Sequence, residues 1–256
     1  YSGEVLMISL NILLRRDFCG REYLFKRIAR DAQPGNKPPS QNKSTGTSEH
    51  RDPHHFSLNH YAINSYDYSM AKLNYVSIMS LDGYIGDGHY DWSLPVEGST
   101  AFITEVIRPM GTYLYGRKNF ETMSFWETPD LANMGADDHN FTRVWQAAEK
   151  IVYSKSLKSV TTRKTRLEND FDVQKIHEMK TKSAKDLCIG GPTLAAQALR
   201  SNLVDEIHLF VVPTTIGNSI PVISVLPKDV VLRLELLEER RFSKDWIYLR
   251  YRIQTS

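Results

Sequence analysis

Hydrophobic positions along the chain follow two different periods, and the switches between them mark out short strands and helices. From Leu73 the sequence alternates, with Leu73, Tyr75, Ser77 and Met79 on one side and Asn74, Val76, Ile78 and Ser80 on the other, until Leu81-Asp82-Gly83 breaks it. A period of two predicts a strand. A loop holding Gly86, Asp87 and Gly88 leads to Asp91-Trp92-Ser93-Leu94-Pro95, after which Phe102, Val106 and Ile107 recur at helical spacing between Glu97 and Arg108. Thr112-Tyr113-Leu114-Tyr115 predicts a second strand, and Gly116 opens a short helix running to Met123. Phe141, Val144, Trp145 and Ala148 form a helical stripe before the buried-strand pattern Lys150 to Ser154. Val173, Ile176 and Met179 mark a further helix, with lysines 175, 180, 182 and 185 expected on its solvated face.

The densest run of elements is Asp186 to Ile223. Leu187-Cys188-Ile189 is short and apolar, with a lysine-rich segment before it and two glycines after, which suits a buried parallel strand. Gly190-Gly191 turns the chain, Pro192 fits a first helical position, and Leu194, Ala195, Ala198 and Leu199 repeat at helical spacing. Ile207 to Val212 is the next strand, and Val231 to Arg240 and Trp246 to Ile253 predict an antiparallel hairpin at the sheet edge. Alternating strands and helices predict an α/β fold, a mainly parallel central sheet with flanking helices and an antiparallel C-terminal hairpin.

Residues 1–69 break this pattern. AQPGNKPPSQNKSTGTSEHRDPHH is polar and rich in Pro, Gly and Ser, a composition that cannot bury enough surface to offset chain entropy. The expected organisation is a poorly structured leader or mis-assigned upstream segment at 1–69, followed by one domain at 70–256, with Met70 as a start. His50, His54, His55 and His60 lack supporting Cys or carboxylate spacing and are expected to belong to a solvated linker rather than a metal site.

Composition narrows the partners. With 41% apolar and 24% charged residues, the 256-residue chain can bury a sizeable core. A formal charge of +2 gives no broad basic surface for nucleic acid, and no apolar run is long enough to span a bilayer. Of two cysteines, Cys188 lies within an apolar strand, so no disulfide framework and a cytoplasmic setting are expected.

Candidate chemistry gathers at strand ends. Gly190-Gly191 sits at a helix N-terminus, where unpaired N–H groups favour an anion such as phosphate, although two glycines also suit a plain tight turn. The turn is not a GxGxxG fingerprint. Arg117 and Lys118 lie in a helix's first turn, where cations oppose the dipole unless an anion binds, and Ser154-Lys155 ends the third strand, where α/β sheets bind ligands.

Five ordered segments, VSIMSLDGYIG, DWSLP, YLYGRKNFETM, IVYSKSL and LCIGGPTLAAQALRSNLVDEIHLFVVPTTIGNSIPVI, resemble the dihydrofolate-reductase-like family, within it the stand-alone relatives of the riboflavin-biosynthesis reductase (RibD C-terminal) domain. The resemblance implies an NADPH site. Carried over by position, it implies Arg117 at the 2′-phosphate, and Gly116, Lys118 and Asn119 at the adjoining phosphates. Ser154 and Lys155 fall on the adenosine side, and Gly190, Gly191 and Thr193 at the pyrophosphate. Ile85 and Gly86 fall along the nicotinamide. The guanidinium fork favours NADP over NAD. Glu97 matches the acidic substrate anchor of folate-reducing members, as a semi-buried carboxyl that orients the ring and assists protonation. Its place two residues after Pro95 equally suits a plain helix start. Asp82 and Trp92 border the implied substrate cleft, Asp82 also reading as a turn residue.

The sequence departs from the family at Gly217-Asn218-Ser219 and Ser243-Lys244-Asp245, where glycines are usual, and no H-x-E with a later P-C-x-x-C marks a zinc deaminase domain. The expected function is an NADPH-dependent reductase of a small nitrogen heterocycle, pterin-type or ribosylaminopyrimidine-type, with no metal. The alternative is a catalytically idle nucleotide-binding or dimerisation module. Tyr248, Leu249, Tyr251 and Ile253 are the expected apolar surface of a homodimer.

Overall fold

A computed structural model describes residues 70–85, 91–217, 219–223 and 231–254. In chain order these form β1 (Leu73–Ser80), α1 (Ser99–Ile107), β2 (Met110–Gly116), α2 (Arg117–Met123), α3 (Ala136–Ala147), β3 (Glu149–Tyr153) and β4 (Thr165–Glu168). Then follow α4 (Val173–Lys182), β5 (Asp186–Gly190), α5 (Pro192–Arg200), β6 (Glu206–Val212), β7 (Leu234–Arg241) and β8 (Ile247–Ile253). The strands make one sheet in the order β4-β3-β2-β5-β1-β6-β8-β7. The first six are parallel, while β8 runs antiparallel to β6 and to β7. The predicted α/β architecture with an antiparallel C-terminal hairpin is therefore what the chain forms.

The alternation in β1 separates two cores. Leu73 and Tyr75 join Leu114, Ile151, Ile189 and the apolar stripe of α5 on one face. Ile78 joins Tyr113, Tyr115, Val152, Phe210 and the inner sides of α1 and α3 on the other. With both faces covered, the central strands lose the exposed polar positions of a half-buried sheet.

Local chemistry sets the helix limits. Gly98, at φ 76°, precedes α1, and the Ser99 hydroxyl donates to the Val96 carbonyl at 2.8 Å, so the helix begins two residues after Glu97. Asp172 caps α4 by accepting from Gln174 N and Lys175 N. β4 falls outside every predicted strand. Its four residues, TRLE, pair with β3 at the sheet edge and carry one apolar side chain, too few for a periodic signal.

Two expectations are corrected. Lys180 is 6% exposed rather than solvated, because its ammonium reaches Asp205 Oδ2 at 2.7 Å and donates to the Leu203 carbonyl at 3.0 Å. Tyr248 is buried at 1%, and β8 lies between β6 and β7, so this strand is no open edge for a partner; the exposed edge is β7.

At the amino ends of the parallel strands the α1 face turns polar. Glu206, 2% exposed, accepts from Lys72 Nζ at 2.6 Å and Arg250 Nε at 2.7 Å. Burial pushes its pKa up, but those hydrogen bonds outweigh burial and hold it below the ordinary carboxylate value. His208 contacts the Tyr248 hydroxyl through Nδ1 at 2.8 Å and Asn74 Oδ1 through Nε2 at 3.3 Å, and burial pushes its pKa down to about 4. These paired groups fasten β1, β6 and β8 together at the amino ends of the parallel strands.

Candidate functional site

The carboxyl ends of β2 and β5 lie side by side, yet the chain leaves β2 toward β3 and β5 toward β6. Such a reversal opens a crevice beyond the strand ends, the usual ligand position in an open α/β sheet. The register pairs Tyr113 with Cys188 and Tyr115 with Gly190, so these four positions share one face.

On that face lies a cavity of about 70 Å³ whose walls include Tyr113, Tyr115, Asn119, Trp145, Cys188 and Gly190. The Trp145 indole N–H donates to the Tyr115 hydroxyl at 3.1 Å. The Tyr113 hydroxyl and Asn119 Oδ1 are buried and have no hydrogen-bond partner among the described residues. Burial raises the Tyr113 and Tyr115 phenols far above their ordinary value and pushes the Cys188 thiol up to about 12. A neutral thiol is a poor nucleophile, so the wall offers hydrogen bonds and ring contact rather than covalent chemistry. Tyrosines at alternate positions of β2 were the signal for this wall, since a strand puts residues two apart on the same face.

Gly191, at φ 90°, ends the turn after β5; Pro192 is the first residue of α5, and no side chain caps that helix. Thr193 is exposed in its first turn. Free N–H groups at this end fit an anionic group. The need for glycine at 190 has a more local cause than the expected approach of a ligand. A Cβ there would collide with Asn119 Oδ1 and press on the Tyr115 ring. Asn119 reaches over the turn from α2, which joins the two strand-end junctions. Gly116 stands beside α5, its would-be Cβ 3.9 Å from Leu194 Cβ, with room for a side chain.

Arg117 and Lys118 are exposed, and the guanidinium lies 3.7 Å from Glu121 one turn on. Both remain within reach of solvent and of an anion. Ser154 departs from expectation: its buried hydroxyl accepts from Ser156 N at 3.2 Å and Leu157 N at 3.1 Å, closing its own turn rather than facing a ligand. Lys155 extends to Asp170 at 2.9 Å on the surface.

The expected substrate side is rearranged more. Glu97 is exposed and absent from the cavity wall, so it is not the semi-buried carboxyl expected. Asp82 accepts from Ser80 Oγ at 2.5 Å, Gly217 N at 2.9 Å and Ile216 N at 3.3 Å. Its carboxylate fastens the end of β1 to a loop and is committed there, as a turn residue. Ile85 is 4% exposed and packs into the α5-side core instead of facing the cavity. Trp92 packs against the α1-side core, its buried indole N–H without a partner among the described residues, again away from the cavity wall. Gly86, Asn218 and the histidines at 50, 54, 55 and 60 lie outside the described residues. Among the described residues no three His, Cys, Asp or Glu side chains are grouped to hold a metal. Nor is any described helix long and apolar enough to cross a membrane.

The mainly parallel sheet, the strand-end crevice, the uncapped helix and the small apolar recess together define an α/β protein of the doubly covered, open-sheet class. The profile of the RibD C-terminal domain matches residues 71–248, and the chain belongs to that family. The uncharacterized protein YyaP of Bacillus subtilis (strain 168) is 25% identical over 182 residues, which are 68% of this chain and 90% of YyaP. A Shewanella sp. PV-4 structure, described only provisionally as a riboflavin biosynthesis protein, superimposes with TM-score 0.56 at 20% identity, covering 73% of this chain and all of that one. A pyrimidine reductase-like protein from Corynebacterium diphtheriae gives TM-score 0.53 at 14% identity, with 73% and 93% covered. The Thermotoga maritima diaminohydroxyphosphoribosylaminopyrimidine deaminase/5-amino-6-(5-phosphoribosylamino)uracil reductase gives TM-score 0.53 at 15% identity, covering 72% of this chain and 57% of that protein. At these identities the structural likeness shows a shared fold.

Proposed function

We propose that the protein is an NADPH-dependent reductase of a small nitrogen heterocycle, pterin-type or ribosylaminopyrimidine-type. The observation that carries the reading is the Gly190-Gly191 turn, where the uncapped first turn of α5, Asn119 and the aromatic recess meet. The first turn of α5 and Asn119 would hold the pyrophosphate, while the exposed Arg117 and Lys118 suit a dianionic 2′-phosphate. Bound NADPH would supply a hydride to a C=N carbon. Trp145, Tyr115 and Phe141 keep water from the recess by filling its walls. Glu97 is given no part in ring binding, because its carboxylate stands in solvent.

A second reading, a catalytically idle nucleotide-binding module, is favoured by one observation: among the described residues, no carboxylate and no histidine lines the recess. Stopped-flow oxidation of NADPH, with dihydrofolate and with a ribosylaminopyrimidinone phosphate as acceptors, separates the two. Turnover with either acceptor supports the reductase. NADPH binding without turnover on either supports the idle module, and absence of NADPH binding overturns both.

A further inference from the structure

Two polar atoms on the wall of the recess, a phenol hydroxyl able to donate and an amide oxygen that only accepts, stand without partners among the described residues. Among the described residues the Tyr113 hydroxyl, on a side chain 1% exposed, has no hydrogen-bond partner, and buried Asn119 Oδ1 has no donor. Both residues line the same cavity. Buried polar groups are almost always satisfied, and these two unpartnered atoms are set apart from the others of the described residues by lining one cavity, where a single polar edge can complete both. On the scale where one water needs roughly 10–15 Å³, the recess takes the edge of a single six-membered ring rather than a whole elaborated substrate.

We propose that Tyr113 and Asn119 together read an amide edge, a carbonyl beside an N–H, on the planar ring entering the recess. Tyr113 donates to the carbonyl and Asn119 accepts from the N–H. This deepens the reductase reading and rests on it. The phenol stays neutral in its apolar setting, so Tyr113 acts as a positioning and specificity group rather than a proton donor. A lactam of a pyrimidinone or pterin carries such an edge, and so does the carboxamide of nicotinamide. A site built to hydrogen-bond such an edge discriminates against rings lacking it, because the orphaned pair then stays buried and unpaired.

Tyr113→Phe removes the hydroxyl and keeps the ring, and its test has two readouts. In the ligand-free protein, loss of an unsatisfied buried hydroxyl raises the thermal midpoint by a few degrees. A fall would show that the hydroxyl is bonded within the protein and overturn the proposal. Binding is then followed by tryptophan quenching, with NADPH, adenosine 2′,5′-bisphosphate, pterin and 5-aminouracil as probes. About tenfold weaker NADPH binding with the bisphosphate unchanged assigns the amide edge to nicotinamide. About tenfold weaker pterin or aminouracil binding with NADPH unchanged assigns it to the substrate. Asn119→Leu weakens the same probe and, because its amide also borders the proposed cofactor phosphates, weakens NADPH and the bisphosphate as well. If the wild-type chain binds these probes and Tyr113→Phe binds them all equally, the tyrosine's role is refuted while the reductase reading stands. If the wild-type chain binds none, both fall.

Discussion

Asn119, on α2, occupies the space that a side chain at Gly190, on β5, would need. One amide therefore links the two helices that flank the proposed cofactor crevice. Neither residue's identity is explained by its own element: α2 does not need an asparagine, and β5 is weakened by a glycine. Their contact across the β2–β5 junction explains both.

Gly190→Ala follows directly. The new methyl must displace Asn119 or shift the β5 end, at about 1–3 kcal/mol, and the cofactor affinity should fall with it. Adding Asn119→Ser should recover part of the stability. Chemical unfolding of the two single variants and the double variant gives the coupling; strict additivity would mean that the side chains do not meet.

The polar cluster at the other end of the sheet predicts an acid-sensitive fold. His208, facing Glu206, Asn74, Tyr248, Arg250 and Lys72, has a pKa of about 4 against an ordinary 6.5. The unfolded chain thus binds a proton that the folded one refuses. The stability from neutral His208 is complete above pH 6.5 and is lost as pH falls toward 4, by up to about 3 kcal/mol. Glu206, with its pKa lowered, adds its own loss further toward acid. His208→Gln should flatten unfolding free energy across pH 6.5 to 4, measured by urea titration at each pH.

Lys180→Met should destabilise the fold by about 1–3 kcal/mol, because it leaves the Leu203 carbonyl without its donor and Asp205 without its cation. A surface lysine would give almost no change in the same thermal melt.

Lys244 and Asp245 in the β7–β8 turn both have positive φ, at 53° and 61°. Glycine accepts that backbone without the cost a Cβ brings. Lys244→Gly should therefore raise stability by about 1 kcal/mol, read as a higher urea midpoint with unchanged slope.

Regular alternation and helical stripes made most of the architecture legible from residue types alone, and the antiparallel hairpin was visible in its two long strand patterns. What pattern could not supply was partner geometry. Lys180 looks solvated because a lysine in an exposed run has that null expectation, and only the approach of Asp205 and Leu203 explains its burial. Tyr248 looks available on a terminal strand, whereas β7 covers that strand's outer edge. At the site, Gly190 and Gly191 were singled out from their strand-end position, and Asn119 only by resemblance. Glu97, Asp82 and Ile85 were placed by resemblance; Glu97 stands in solvent, Asp82 bonds the loop at Ile216 and Gly217, and Ile85 packs into a core. The recess itself depends on Tyr113 and Tyr115 facing Cys188 and Gly190, a register that no local pattern states.

The proposed NADPH site is organised on the Gly190-Gly191 turn. The most direct test is titration of the purified chain with NADPH and NADH, followed by cofactor fluorescence, in the wild type, Arg117→Ala and Gly190→Ala. The account predicts saturable binding of one NADPH per chain, with NADH at least tenfold weaker. Arg117→Ala should lose affinity for NADPH much more than for NADH, and Gly190→Ala should lose affinity for both. Equal affinity for the two cofactors, or binding that survives Gly190→Ala unchanged, would contradict it.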